Sequence, residues 1–168
     1  MGKILVTYAT RAGSTKEVAE YIGRVLAESH LRADVLPVKS VKSVEGYSGV
    51  IVGSAIRNAA LMSEVFSFVR SNQRSLASVP TAYFVVCLTM QEDTPEHRQT
   101  VEAYLNPLTA IVQPVSKGLF AGVMDATKLG FPWKTLMKNQ PQGDYRRWEE
   151  IRRWTEQVIP QFASREMA

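Results

Sequence analysis

Short apolar runs alternate along the chain with longer stretches in which apolar positions recur three or four residues apart. Lys3–Ala9 is a compact run of Ile, Leu, Val and Tyr and reads as a buried strand. From Thr15 to about Ser29, Val18, Ala19, Ile22, Val25 and Leu26 fall on one helix face. Residues 33–38 read as a second strand; Pro37 cannot donate to a ladder, which places it at an edge or a strand end. Residues 49–53, with Val50-Ile51-Val52, read as a third strand. Residues 63–72 carry Val65, Phe66 and Val69 in helical register. Residues 81–88 predict a strongly apolar fourth strand and residues 96–112 a third helix. Residues 117–123, with Leu119, Phe120 and Val123, predict a fifth strand. Asp144 is placed to cap a last helix with Trp148, Ile151, Thr155 and Val158 on one side. Residues 124–143, with Gly130, Pro132, Pro141 and Gly143, show no periodicity and predict a long irregular connection.

Five strands separated by crossovers long enough to hold a helix predict a parallel sheet with right-handed connections. The expected architecture is an α/β three-layer sandwich, one domain over residues 1–168, with strand order 2-1-3-4-5. In that order the edge-like second strand lies outside the first. No internal repeat, linker or low-complexity tract interrupts the alternation.

Composition narrows the class. Of 168 residues, 45% are hydrophobic and 21% charged, as in an ordered globule. No apolar run approaches the roughly 20 residues that span a bilayer. Met1-Gly2-Lys3 leads straight into Ile4-Leu5-Val6, too short for a signal-peptide core, so a cytoplasmic chain is expected. A lone cysteine, Cys87, excludes an internal disulfide and a Cys/His metal cluster. The net charge is +4; residues 1–126 hold 12 basic against 11 acidic side chains, and residues 127–168 hold 8 against 5. The basic residues of that last quarter are interleaved with acids and tryptophans. They read as a solvated helix face, and no nucleic-acid partner is expected.

Ligands of open parallel sheets sit at the carboxyl ends of the strands where strand order reverses, here after the first and third. After the first strand comes Thr10-Arg11-Ala12-Gly13-Ser14-Thr15, running directly into a helix. Three hydroxyls, a glycine free to adopt φ > 0 and the free amides of a helix N-terminus suit a phosphate dianion. The competing reading makes Ser14 or Thr15 a helix N-cap, with Gly13 serving the turn. The sequence has neither Gly-x-x-x-x-Gly-Lys-[Ser/Thr] nor Gly-x-Gly-x-x-Gly. A hydroxyl-dominated loop of this kind fits a terminal monophosphate that is held rather than transferred. After the third strand, Gly53 admits a close approach or a tight turn, and Ser54-Ala55-Ile56-Arg57-Asn58 follows. Ile56 is suited to an apolar face and Arg57 either to an anion or to solvent. After the fourth strand, Leu88-Thr89-Met90-Gln91 offers backbone groups to a polar edge, or is simply a strand-to-helix connection. No acid/base dyad, metal site or nucleophile–His pair is visible. His30 and His97 read as surface residues and Cys87 as a buried thiol. Phe131-Pro132-Trp133 is a candidate substrate or membrane contact.

Ile4-Leu5-Val6-Thr7-Tyr8-Ala9-Thr10, Gly13-Ser14-Thr15 and Val50-Ile51-Val52-Gly53-Ser54 together resemble the flavodoxin-like superfamily, and the resemblance covers almost the whole chain. Within it, Gly53-Ser54-Ala55-Ile56-Arg57, Ala121-Gly122 and Gly143-Asp144-Tyr145-Arg146-Arg147-Trp148 are similar to the flavodoxin-domain group that includes the quinone-dependent protoporphyrinogen dehydrogenases. The resemblance implies FMN, its phosphate in the first loop and its isoalloxazine between the second and third. It implies an electron carrier or an FMN-dependent oxidoreductase, working with a redox partner protein or a small-molecule substrate. Two features depart from the electron carriers: the ring-side loops offer Ile56-Arg57-Asn58 and Thr89-Met90 instead of aromatics, and the chain is basic. A basic surface suits a substrate with acidic groups, such as porphyrin propionates, or a peripheral contact with anionic lipid. A flavin-free binding or regulatory domain on the same fold is the alternative of another class.

Overall fold

Every second side chain of β1 (Lys3–Ala9) turns to the same face of the sheet, and both faces are covered. Ile4, Val6 and Tyr8 enter one apolar cluster, Leu5 and Ala9 the other. This computed structural model describes residues 2–11, 13–124, 131–132, 135 and 143–163. Helix α1 (Ser14–Glu28) buries Val18, Ala19, Ile22, Val25 and Leu26, the face read from the spacing. It ends in a paired-bond motif: the His30 amide donates to the Ala27 carbonyl and the Leu31 amide to the Leu26 carbonyl, both at 3.0 Å. His30 itself sits at φ 65°. Strand β2 (Arg32–Pro37) ends on Pro37 and pairs with β1 alone, the edge position expected from the proline.

Strand β3 (Tyr47–Arg57) is longer than the predicted 49–53. Its last residues turn back as a hairpin with β4 (Ala60–Leu61), pairing Ile56 with Leu61 and Arg57 with Ala60. The two connecting residues, Asn58 and Ala59, lie at φ 51° and 56°, the double left-handed backbone of a type I′ turn. Helices α2 (Ser63–Ser71) and α3 (Gln73–Ala77) lead to β5 (Thr81–Cys87), whose seven residues are all buried. The helix predicted over 96–112 is divided into α4 (Pro95–Ala103) and α5 (Asn106–Thr109). Pro107 explains the break, because a ring without an N–H fits the first turn of a helix and not its interior. Strand β6 (Ser116–Ala121) is followed by a two-stranded antiparallel ribbon, β7 (Val123–Met124) with β8 (Gly143–Asp144). The irregular stretch expected over 124–143 therefore departs and returns at one point. Its interior, Trp133 included, lies outside the described residues apart from 131–132 and 135. Helix α6 (Trp148–Ala163) follows β8. Asp144 does not cap it: it belongs to β8 and its carboxylate accepts from Arg146.

The sheet runs β2-β1-β3-β5-β6 with all neighbours parallel, and β4 adds a short antiparallel strand to β3. The five-strand expectation lacked that sixth strand; the α/β sandwich class is as expected. Helices α1 and α6 contribute to the cluster on one face, α2 to α5 to the cluster on the other. On the α6 side, Phe84, Phe120 and Trp154 pack with centroids 5.5–6.3 Å apart, and Trp154 Nε1 donates to Ser116 Oγ at 3.0 Å. The close approach allowed by Gly53 is used here: a Cβ on Gly53 would lie 2.0 Å from Cζ of Phe84. The ring admitted by that glycine belongs to the core.

Candidate functional site

Register brings three strand ends together. Ala9 lies beside Ser54, and Ala55 beside Val86 one residue short of the end of β5. Strand β2 lies on the far side of β1 from β3, so strand order reverses between β1 and β3, where a parallel sheet opens a crevice. The loops after β1, β3 and β5 share that crevice.

In the first loop, the backbone turns through Gly13 at φ +94°, and a Cβ there would meet nothing within 4 Å. Gly13 holds the N-cap position of α1 without any side-chain cap bond. Ser14 and Thr15 are therefore not caps. Thr10 Oγ1 instead accepts from the Gly13 amide at 3.0 Å, which shapes the turn and leaves the Thr10 proton free to donate outward. Thr15 is 0% exposed, and its hydroxyl has no hydrogen-bond partner among the described residues. An unpaired buried hydroxyl costs about 1–3 kcal/mol, so an acceptor from outside the chain would relieve it. The first amides of α1 likewise lack an intrahelical acceptor and receive no side-chain cap. This donor set fits a phosphate group. Ala12 lies outside the described residues. The Thr7 hydroxyl is also buried and unpartnered, but it lies within β1 between its register partners Leu36 and Val52.

Arg11 is half-exposed and forms an ion pair at 2.9 Å with Glu64 in the first turn of α2. Glu64 also takes Lys39 at 3.9 Å, and its second carboxylate oxygen is buried without a partner. The carboxyl is held below its usual range first by its own backbone amide and then by Arg11, against the opposing effect of burial. The sequence reading missed Glu64. Its signal was slight: an acid at a helix start, which is most often only a dipole partner.

The second loop divides. Ser54 is 1% exposed, donates to the Ala55 carbonyl at 2.7 Å and accepts from the Met62 amide at 3.0 Å. Both capacities of its hydroxyl serve the hairpin, so Ser54 is an internal anchor. Ala55 and Ile56 are half-buried against the α2-side cluster. Arg57 is half-buried and its guanidinium makes no ion pair or hydrogen bond among the described residues, so it is available to a ligand. Asn58 stands exposed at the turn.

The third loop is a single 3-10 turn, Leu88–Gln91. Leu88 and Thr89 are half-buried, while the Met90 side chain is buried in the core. The Met90 carbonyl is also taken, accepting from both Nη atoms of Arg147 at 3.0 and 3.1 Å. Met90 thus supports the loop, and Leu88 and Thr89 carry what the loop can show a ligand. Burial pushes the Cys87 thiol up, partly opposed by the amides of Met90 and Thr89 and by the Thr89 hydroxyl, which suits an inert core cysteine.

A model of the flavodoxin domain family matches residues 5–145. A protein of Escherichia coli strain K12 named protoporphyrinogen IX dehydrogenase [quinone] is 34% identical over 98 residues, 57% of this chain and 53% of that protein. A Leishmania major protein of the same name is 30% identical over 142 residues, 81% of this chain and 61% of that protein. The chain thus spans between half and two thirds of the length of these curated relatives. Among solved structures, a short-chain flavodoxin associated with a non-canonical PDU bacterial microcompartment superposes with a TM-score of 0.65 at 13% identity, covering 96% of this chain and 99% of that one. Oxidised Flavodoxin 1 from Bacillus cereus gives 0.61 at 15% identity, covering 94% and 97%. At these identities the two structures speak to the fold alone.

Proposed function

We propose that this chain, which belongs to the flavodoxin domain family, binds FMN and uses it to transfer electrons. The observation that carries the reading is the buried, unpartnered Thr15 hydroxyl beneath the open N-terminus of α1. Thr10, Ser14 and Thr15 would donate to the phosphate together with the first amides of the helix. Ala55, Ile56, Arg57 and Asn58 on one side, and Leu88 and Thr89 on the other, would border the ring. FMN when bound supplies the redox chemistry; the chain supplies position, charge and exclusion of water. Arg57 would present a positive charge to the ring edge or to an acidic group of a substrate.

The names of the two relatives favour a second, narrower reading: dehydrogenation of a protoporphyrinogen with a quinone as acceptor. The Arg57 guanidinium, without an ion pair or hydrogen bond among the described residues, supports it, since a porphyrinogen carries carboxylates. The test loads the purified protein with FMN, removes excess, and mixes it anaerobically with protoporphyrinogen while following the flavin absorbance. Rapid bleaching, reversed by a quinone, is expected of the dehydrogenase; a stable flavin spectrum would leave only the electron carrier. A protein that stays colourless and gains no thermal stability from excess FMN would contradict both readings and favour a flavin-free domain.

A further inference from the structure

The stretch Gly143-Asp144-Tyr145-Arg146-Arg147-Trp148 has no part in the scheme above, yet its two arginines reach both ends of the site. Arg146 turns toward α1: it pairs with Glu17 in the first turn of that helix and with Asp144, and it lies over the Trp148 ring at 4.7 Å. Its side chain is 10% exposed. Arg147 turns the other way. Its Nη1 donates to the Met90 carbonyl at 3.0 Å, and its Nη2 to the carbonyls of Met90 and Gln91, both at 3.1 Å. Glu150 approaches Nε at 3.6 Å.

A guanidinium forked across two successive carbonyls fixes the direction of a short turn as a single neutral donor would not. The Leu88–Gln91 turn has no side-chain cap bond of its own at its N-cap. Among the described residues Arg147 supplies the side-chain bonds to the carbonyls of this turn, and it sets a guanidinium, with Glu150 as counter-ion, beside it. We propose that Arg147 is a positioning residue for the ring end of the site: it sets the geometry of the third loop, and its charge favours the reduced, more negative flavin. The proposal rests on the FMN reading. It assigns Arg147 to the ring end and leaves the phosphate end to the first loop, so the two can be separated with two ligands.

The experiment measures FMN and riboflavin affinities and the two-electron midpoint potential of bound FMN for wild type, Arg147→Met and Arg147→Lys, each checked for folding by circular dichroism. Removing charge-assisted bonds from the loop is expected to weaken FMN and riboflavin by the same factor in Arg147→Met, about tenfold. The reduced form should lose about threefold to tenfold more than the oxidised form, which makes the potential more negative by about 15–30 mV. Arg147→Lys keeps the charge without the fork; it should restore most of the potential and little of the affinity. If Arg147→Met fails to fold, the split in Arg147→Lys decides the matter. Unchanged affinities and potential, or a loss confined to FMN, would overturn the role of Arg147 while leaving the FMN reading intact. A wild-type protein that binds neither ligand would overturn that reading, and this role with it.

Discussion

Ala59 holds a left-handed backbone at φ 56°, a conformation that glycine adopts freely and alanine does not. The strain falls in the hairpin that presents Ile56, Arg57 and Asn58 to the site. The left-handed region costs an L-residue about 1–2 kcal/mol, and a glycine gives back part of that gain as unfolded-state entropy. Ala59→Gly, which creates the Asn-Gly pair favoured in such turns, should stabilise the protein by about 0.5–1 kcal/mol. Urea unfolding checks it: the midpoint should rise, and a fall would show that the turn is held by something other than backbone preference. At this scale the sequence was legible where one residue suffices. Gly13 reads as a residue free to adopt φ > 0, and it does so at 94°. Ser54 and Thr15 both belong to loops read as cofactor-binding, but only a partner eight residues away, the Met62 amide, distinguishes the anchored hydroxyl from the free one. No local pattern encodes that partner. Gly53 shows the same limit: its open side faces Phe84, which lies on another strand.

At the level of elements, the strands and amphipathic helices followed from periodicity because each is buried on a regular face. Boundaries failed where backbone chemistry overrode it. Pro107 divided one expected helix, and the turn at Asn58-Ala59, which lacks a glycine, concealed the hairpin that lengthens β3. Asp144 was assigned to a helix cap because it is an acid just before a helical pattern; it instead ties β8 to Arg146, and through Arg146 to α1. Bonds from Arg146 hold the Asp144 carboxyl below its usual range, outweighing the opposing effect of burial. A group whose pKa is depressed on folding adds stability that is present above its unfolded value and lost as pH falls through its folded value. The stability advantage of wild type over Asp144→Asn should thus be full at neutral pH and shrink below about pH 4. Thermal melts at pH 7 and pH 3 test this; an unchanged difference would mean that the charge of Asp144 contributes nothing.

Across the whole molecule, strand order places the three loops on one crevice, and that much follows from alternation and from a proline at the edge strand. The basic last quarter reads differently once folded. Arg146 and Arg152 are bound to Glu17 and Glu28 of α1, and Arg147 to the third loop, so much of that charge fastens α6 to the rest of the fold. Outside that quarter, Arg57 at the second loop has no ion pair or hydrogen bond among the described residues, which leaves it open to an acidic group. The central claim is that the first loop holds the phosphate of FMN. It is tested most directly by the ratio of FMN to riboflavin affinity in wild type, Thr15→Val and Thr7→Val. Thr7→Val removes a buried, unpartnered hydroxyl away from the loop and should leave the ratio unchanged. Thr15→Val should lower FMN affinity about 10–100-fold, the worth of a hydrogen bond to a charged group. It should spare riboflavin, and the ligand-free protein should melt no lower than wild type, because the lost hydroxyl had no partner. Equal losses for FMN and riboflavin in Thr15→Val, or no loss for either, would contradict the claim.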